Sequence, residues 1–223
     1  MANYKINYIF NLIFKEFFFK KKLTFDWSIF PKRYEIINEI ILKKNFKDYL
    51  EIGCFTDENF NKIKVKNKVG VDPIQGGNIR KTSDEYFKSC EDFFDIIFID
   101  GLHHYDQVKK DILNSLKILK TGGVILIHDC LPRKARDQMV PRSHEEWNGD
   151  VWKSIVEFRT KDDIDTYVCY ADHGLGLILN RKNKNKLDLN IKNFKKLKFS
   201  DYYKNHKKFM NIINHKEIFK VLD

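Results

Sequence analysis

Phe94-Asp95-Ile96-Ile97-Phe98-Ile99-Asp100 is an almost unbroken apolar run that closes on an acid. A strand with water on one face alternates apolar and polar residues, whereas a parallel strand covered on both faces does not, so this run reads as a buried parallel strand. Downstream, Val108, Ile112, Leu113, Leu116 and Leu119 recur at helical spacing between Tyr105 and Leu119. Lys120-Thr121-Gly122-Gly123 stops that helix, and Gly123 to Asp129 supplies the next strand. Upstream, Tyr49 to Gly53 and Lys68 to Asp72 read as two more strands, the second closed by Pro73. Ser83 is expected to cap a helix over Asp84 to Cys90.

Strands alternating with helices imply right-handed crossovers and an α/β, doubly wound sheet. The pattern ends differently. Thr166–Tyr170 and Leu175–Leu179 are joined through Ala171-Asp172-His173-Gly174, too short for a crossover helix, so this pair is expected to be antiparallel. The expected organisation is an N-terminal helical extension (1–45), an α/β domain (46–181) and a basic helical tail (182–223).

The 223 residues carry 41 Lys and Arg against 31 Asp and Glu, a net charge of +10, and 43% are hydrophobic. That apolar content excludes general disorder and fits one domain with extensions. The excess charge is Lys spread along a chain also rich in Asn, Ile and Phe, the residues AT-rich codons favour. A compositional origin is therefore preferred over a specific nucleic-acid partner. Cys54, Cys90, Cys130 and Cys169 lie far apart without a CxxC pair, which fits a reduced, cytoplasmic compartment. The aromatic stretch Tyr8 to Phe19 is interrupted by Lys15 and Glu16, is too short to span a bilayer, and precedes Lys20-Lys21-Lys22. Two readings stand: an anchor on anionic lipid at the inner face of the membrane, or a helix covering the domain or a dimer partner.

In open α/β sheets ligands bind beyond the carboxyl ends of the strands. Glu51, Gly53, Asp72, Ser83, Asp84, Asp100, His128 and Asp129 all fall at such ends. A dinucleotide pyrophosphate calls for G-x-G-x-x-G. The turn from Glu51 to Asp57 has one glycine, bulky Phe55 and an acid that would repel phosphate. S-adenosylmethionine has no phosphate and carries an ammonium and a sulfonium, so acids there suit it.

Together, Glu51-x-Gly53, Val71-Asp72, Thr82-Ser83-Asp84, Phe98-Ile99-Asp100-Gly101-x-His103 and His128-Asp129 resemble the class I S-adenosylmethionine-dependent methyltransferases, and most closely the branch known as methyltransferase domain 24. The resemblance covers about Tyr49 to Asn180. It implies a Rossmann-like, seven-stranded sheet with a reversed last strand. It also implies that Glu51, Gly53, Asp72, Ser83, Asp84 and Asp100 serve the cofactor: Gly53 at the methionine end, Asp72 on the ribose hydroxyls, Ser83 and Asp84 beside the adenine. Asp57 departs from the pattern, since many members have glycine there.

His103 lies one turn beyond Asp100, where an imidazole can take a proton from an acceptor hydroxyl, and Asp129 ends the neighbouring strand. His103, Asp100 and Asp129 are thus the candidate catalytic groups. Asp100 and Asp129 are candidate ligands for a divalent cation, Mg or Mn. The arrangement is similar to that of metal-dependent sugar O-methyltransferases, but their paired acids become His128-Asp129, which disfavours an oxygen-seeking metal. The segment Cys130 to Gly149 reads as a lid, with Arg133, Lys134, Arg136, Arg142, His144 and Trp147 suited to an anionic or sugar acceptor. His128, Arg133, Trp147 and Trp152 are the candidate substrate contacts; Trp152 reads equally as helix core. The expected function is O-methylation of a sugar or other small polar acceptor, with homo-oligomerisation left open. The alternatives are an RNA methyltransferase and a non-catalytic module tethered by its basic ends.

Overall fold

The computed structural model describes residues 3–16 and 18–223; Phe17, within the aromatic stretch, lies outside the described residues. Seven strands form one sheet: β1 (Asp48–Ile52), β2 (Asn67–Val71), β3 (Phe94–Ile99), β4 (Leu119–Ile127), β5 (Asp165–Cys169), β6 (Leu175–Leu179) and β7 (Ile212–Ile213). Their order is β2-β1-β3-β4-β6-β5-β7. β2, β1, β3 and β4 run parallel, and β6 is antiparallel to both β4 and β5, as the short 171–174 connection requires. The tail adds β7, a two-residue strand parallel to β5.

The alternation of side chains divides the core. Leu50, Ile52, Ile97, Ile99, Ile125 and Ile127 pack toward one face. There they meet α3 (Ser83–Ser89), α4 (Tyr105–Lys117), α5 (Trp152–Phe158) and α6 (Phe199–Met210). Tyr49, Ile96, Phe98, Val124 and Leu126 pack toward the other, under α2 (Arg33–Lys44) and α7 (Ile218–Leu222). Both faces of the central strands are buried, which is why their sequences need no polar alternation. Ile52 is level with Val71 and with Ile99, and Ile99 with Ile127. Gly53, Asp72, Asp100 and His128 therefore leave the sheet side by side along one edge.

Local chemistry shifts some expected boundaries. Thr82, not Ser83, caps α3: its hydroxyl accepts from the Glu85 N–H, and the Glu85 carboxylate accepts from the Thr82 N–H. α4 stops at Lys117, because Leu119 already pairs with Phe94 in the sheet. The segment Cys130 to Gly149, expected to be a lid without helix or strand, contains a 3-10 turn at Ala135–Gln138 and buries Met139 and Asn148. A further helix, α1 (Tyr4–Phe14), lies against this segment.

Candidate active site

The strand ends open into a cleft of about 730 Å³. On one side, Gly53 sits at φ +88°, where a Cβ would also run into the Asp100 carbonyl, so only glycine fits between β1 and β3. Asp57, where the sequence resemblance led to an expected glycine, is also left-handed at φ +61°. Its Oδ1 accepts from the Gly77 N–H at 2.6 Å, so the acid pins the turn that a glycine would have freed.

Asp72 does two jobs. Its carboxylate lines the cleft, yet Oδ1 accepts from the Ile74 and Gln75 N–H groups (2.8 and 3.0 Å) and Oδ2 from Phe55 N–H (3.0 Å). Burial raises its pKa, but these three N–H groups and Arg80 outweigh that and hold it below the usual carboxylate range. Ser83 and Asp84 also line the cleft, and the Gln107 side chain donates to both. Glu51 does not line it. Its carboxylate is buried beneath the turn and accepts from the Tyr49 hydroxyl and from Asn59 Nδ2 (2.9 Å), which corrects its expected contact with a ligand in the cleft. Burial pushes this carboxyl up to about 7, against the pull of the two hydrogen bonds.

On the other side three carboxylates meet two imidazoles and a guanidinium. Asp100 Oδ1 lies 3.2 Å from His103 Nε2 and 3.2 Å from His128 Nδ1. Asp129 Oδ2 lies 3.3 Å from His103 Nδ1 and 3.5 Å from His128 Nδ1, while its Oδ1 accepts from Asn148 Nδ2 at 2.7 Å. Asp172 accepts from the Arg33 backbone N–H at 2.8 Å and lies 3.2 Å from its guanidinium, which is 3.8 Å from Asp100. Burial alone would favour the neutral forms. The opposite charges win, so His103 and His128 are raised and Asp100, Asp129 and Asp172 lowered. With both histidines protonated the six groups are electroneutral.

The lid residues clamp this cluster. The Trp147 ring stacks on His103 at 5.2 Å and 17°, and Arg142 and Trp147 both line the cleft. Gly149 is pressed so closely on His103 that a Cβ would meet its carbonyl, and the Asp150 N–H donates to that carbonyl at 3.1 Å.

Two expected substrate contacts fall elsewhere. Trp152 is fully buried, packed on Tyr202 with its indole N–H donating to Gln138, because it belongs to the core face of α5. Arg133 pairs with the exposed Glu146 outside the cleft lining. Reading the sequence missed Arg33, Asp172, Gln107 and Asn148. Asp172 carried a turn signal only, and nothing in the sequence around Arg33 marks a residue of this site.

A donor atom from each of Asp100, His103 and Asp129 lies within 4.8 Å of the others, a spacing at which the three could share a cation. All three are already paired within the cluster, so a cation bound there would displace the proton of His103.

Residues 56–130 match a protein family described as Methyltransferase domain. No curated protein matches the chain. Among solved structures, the SAH-bound methyltransferase PaMTH1 of Podospora anserina is 16% identical with a TM-score of 0.51, covering 67% of this chain and 78% of that one. A putative O-methyltransferase from Klebsiella pneumoniae is 14% identical with a TM-score of 0.50, covering 70% and 83%. At these identities the likeness establishes the fold, the Rossmann-like fold of class I methyltransferases.

Proposed function

We propose that the chain transfers a methyl group from S-adenosylmethionine to an oxygen of a small polar acceptor, a sugar or sugar-like molecule. The observation that carries this reading is the set of groups at the strand ends: Gly53, Asp72, Ser83, Asp84 and Asp100 line one cleft. The turn after β1 lacks the further glycines that a pyrophosphate calls for, and Phe55 stands in it instead. Such an edge suits a nucleoside without phosphates better than a dinucleotide. Phe55, Ile74 and Leu102, all exposed at the cleft, provide apolar surface for an adenine.

Bound there, the cofactor supplies an electrophilic methyl on a sulfonium. Asp72 would accept from its ribose hydroxyls, and Ser83 and Asp84 would flank its base. The chain's own part is to orient the acceptor and receive its proton. His103 suits that role, because it lines the cleft and both ring nitrogens face carboxylates, Nδ1 that of Asp129 and Nε2 that of Asp100. The imidazolium formed when the ring takes the acceptor's proton is then stabilised on both sides, by Asp100 and by Asp129. Trp147 and Arg142 would meet the acceptor. The charge balance of the cluster favours proton transfer to His103 over a bound cation. If Mg²⁺ or Mn²⁺ is used, Asp100, His103 and Asp129 would hold it and it would acidify the acceptor hydroxyl.

The test has two stages. Calorimetry should show S-adenosylhomocysteine binding, and its absence would remove the methyltransferase reading. With an acceptor found by screening sugars and small polar hydroxyl compounds, His103→Ala should lower turnover roughly 10²–10⁴-fold with cofactor affinity intact. Near-normal turnover in that variant would refute the role of His103, and a chelator that stops the wild type would assign the step to a cation.

A further inference from the structure

Helix α1 is turned inside out. Its polar side faces the protein: Asn7 Nδ2 donates to the Arg142 carbonyl at 2.7 Å and Asn11 Nδ2 to the Pro141 carbonyl at 2.9 Å, with Asn11 fully buried. Ile6, Ile9, Phe10, Ile13 and Phe14 are all exposed, Ile13 and Phe14 at 65% and 68%. An amphipathic helix in a globular protein buries its apolar stripe. This one displays it, and an exposed stripe of that length marks an interaction surface.

A second, independent feature adjoins it. Ile13 and Phe14 form one wall of a cleft of about 680 Å³ whose other walls carry Lys15, Lys153, Lys195, Lys196 and Lys198. Its two acids are already engaged: Glu16 accepts from the Phe199 and Ser200 N–H groups (2.6 and 3.3 Å), and Asp150 pairs with Lys153. Lys195 pairs with Asp106. Lys15, Lys196 and Lys198 have no carboxylate partner among the described residues and are exposed. The cleft therefore holds uncompensated positive charge beside apolar surface.

We propose that α1 and this lysine-lined cleft dock the protein on an anionic lipid bilayer, with α1 lying in the interface and a lipid phosphate entering the cleft. Apolar side chains bordered by lysines match the layering of such a surface, acyl chains beneath anionic headgroups. α1 itself carries no acid. A second copy of this chain would face the same lysines with its own, so self-association through this face sets like charges together. The docking is independent of the proposed chemistry.

The test is vesicle sedimentation of the full chain. With roughly 30% phosphatidylserine in phosphatidylcholine, binding should be about tenfold or more tighter than to phosphatidylcholine alone, and should weaken with salt. Ile13→Asp combined with Phe14→Asp should remove binding, and Lys196→Glu with Lys198→Glu should weaken it at least about tenfold. These side chains are exposed, so circular dichroism should show every variant folded. Equal binding to neutral and anionic vesicles, or wild-type binding by either variant, overturns the proposal. So does a wild-type dimer that Ile13→Asp dissociates with no vesicle binding to lose.

Discussion

Replacing Glu51 with Gln should stabilise the protein at neutral and alkaline pH and leave it unchanged in acid. The Glu51 carboxyl titrates near 7 in the folded chain, against 4.5 for a solvated glutamate, because it is almost wholly buried. Between those values the folded state holds a proton that the unfolded state has lost, so stability falls as pH rises from about 4.5 to about 7. Above 7 both states are ionised, and the full penalty is about 3 kcal/mol at 1.36 kcal/mol per pH unit. Glutamine is neutral throughout, and its carbonyl can still accept from the Tyr49 hydroxyl and Asn59 Nδ2. Urea denaturation of both proteins from pH 4 to pH 8 measures the difference directly. The Gln variant should gain stability relative to wild type across pH 4.5 to 7 and then hold its lead. Parallel curves would show that burial does not raise this carboxyl. Cofactor affinity is the second readout: Glu51 lies under the turn rather than in the cleft, so S-adenosylhomocysteine should bind the variant as it binds wild type.

Asp72→Ala should weaken S-adenosylhomocysteine, measured by calorimetry, by about 1.5–3 kcal/mol, the range for a hydrogen bond to a charged group. It should also lower the unfolding free energy, because three backbone N–H groups lose their acceptor. Trp147→Ala should raise the acceptor KM and lower kcat together, since the ring both lines the cleft and stacks on His103; a change in KM alone would separate the two roles. The carboxylates raise His103, and only its neutral form accepts a proton. kcat/KM should therefore climb with pH around a midpoint above 6.5, and that limb should vanish in His103→Ala.

The sheet and its ligand-binding edge were legible because burial on both faces leaves unbroken apolar runs, and the residues after Ile52, Val71, Ile99 and Ile127 (Gly53, Asp72, Asp100 and His128) necessarily emerge together. What lies across the chain was not. Arg33 meets Asp172 over 139 positions of sequence, and no local pattern encodes that. Trp152 could not be assigned from sequence, since an indole that stacks on a sugar and one that fills a core are the same residue; α6 decides by covering it. The aromatic stretch Tyr8 to Phe19 was visible, but such a stretch does not state which way a helix through it looks. Asn7 and Asn11 settle that by bonding to the 141–142 carbonyls.

The pressure of Gly149 on His103 makes one piece of two things that enzymes often keep apart. Arg142, Trp147 and Asn148 belong to a short segment whose end is bolted to the backbone of His103, through Asp150, and to the start of α4, where Tyr105 N–H donates to the Asp150 carboxylate. The wall that would discriminate between acceptors is thus also the brace that sets the imidazole at its angle. Specificity in such a design cannot drift on its own. Exchanging residues 139–150 for those of a relative would unsettle proton transfer to every acceptor at once, and a new preference would emerge only where the transplanted segment kept a glycine against His103 and an acid to hold Tyr105.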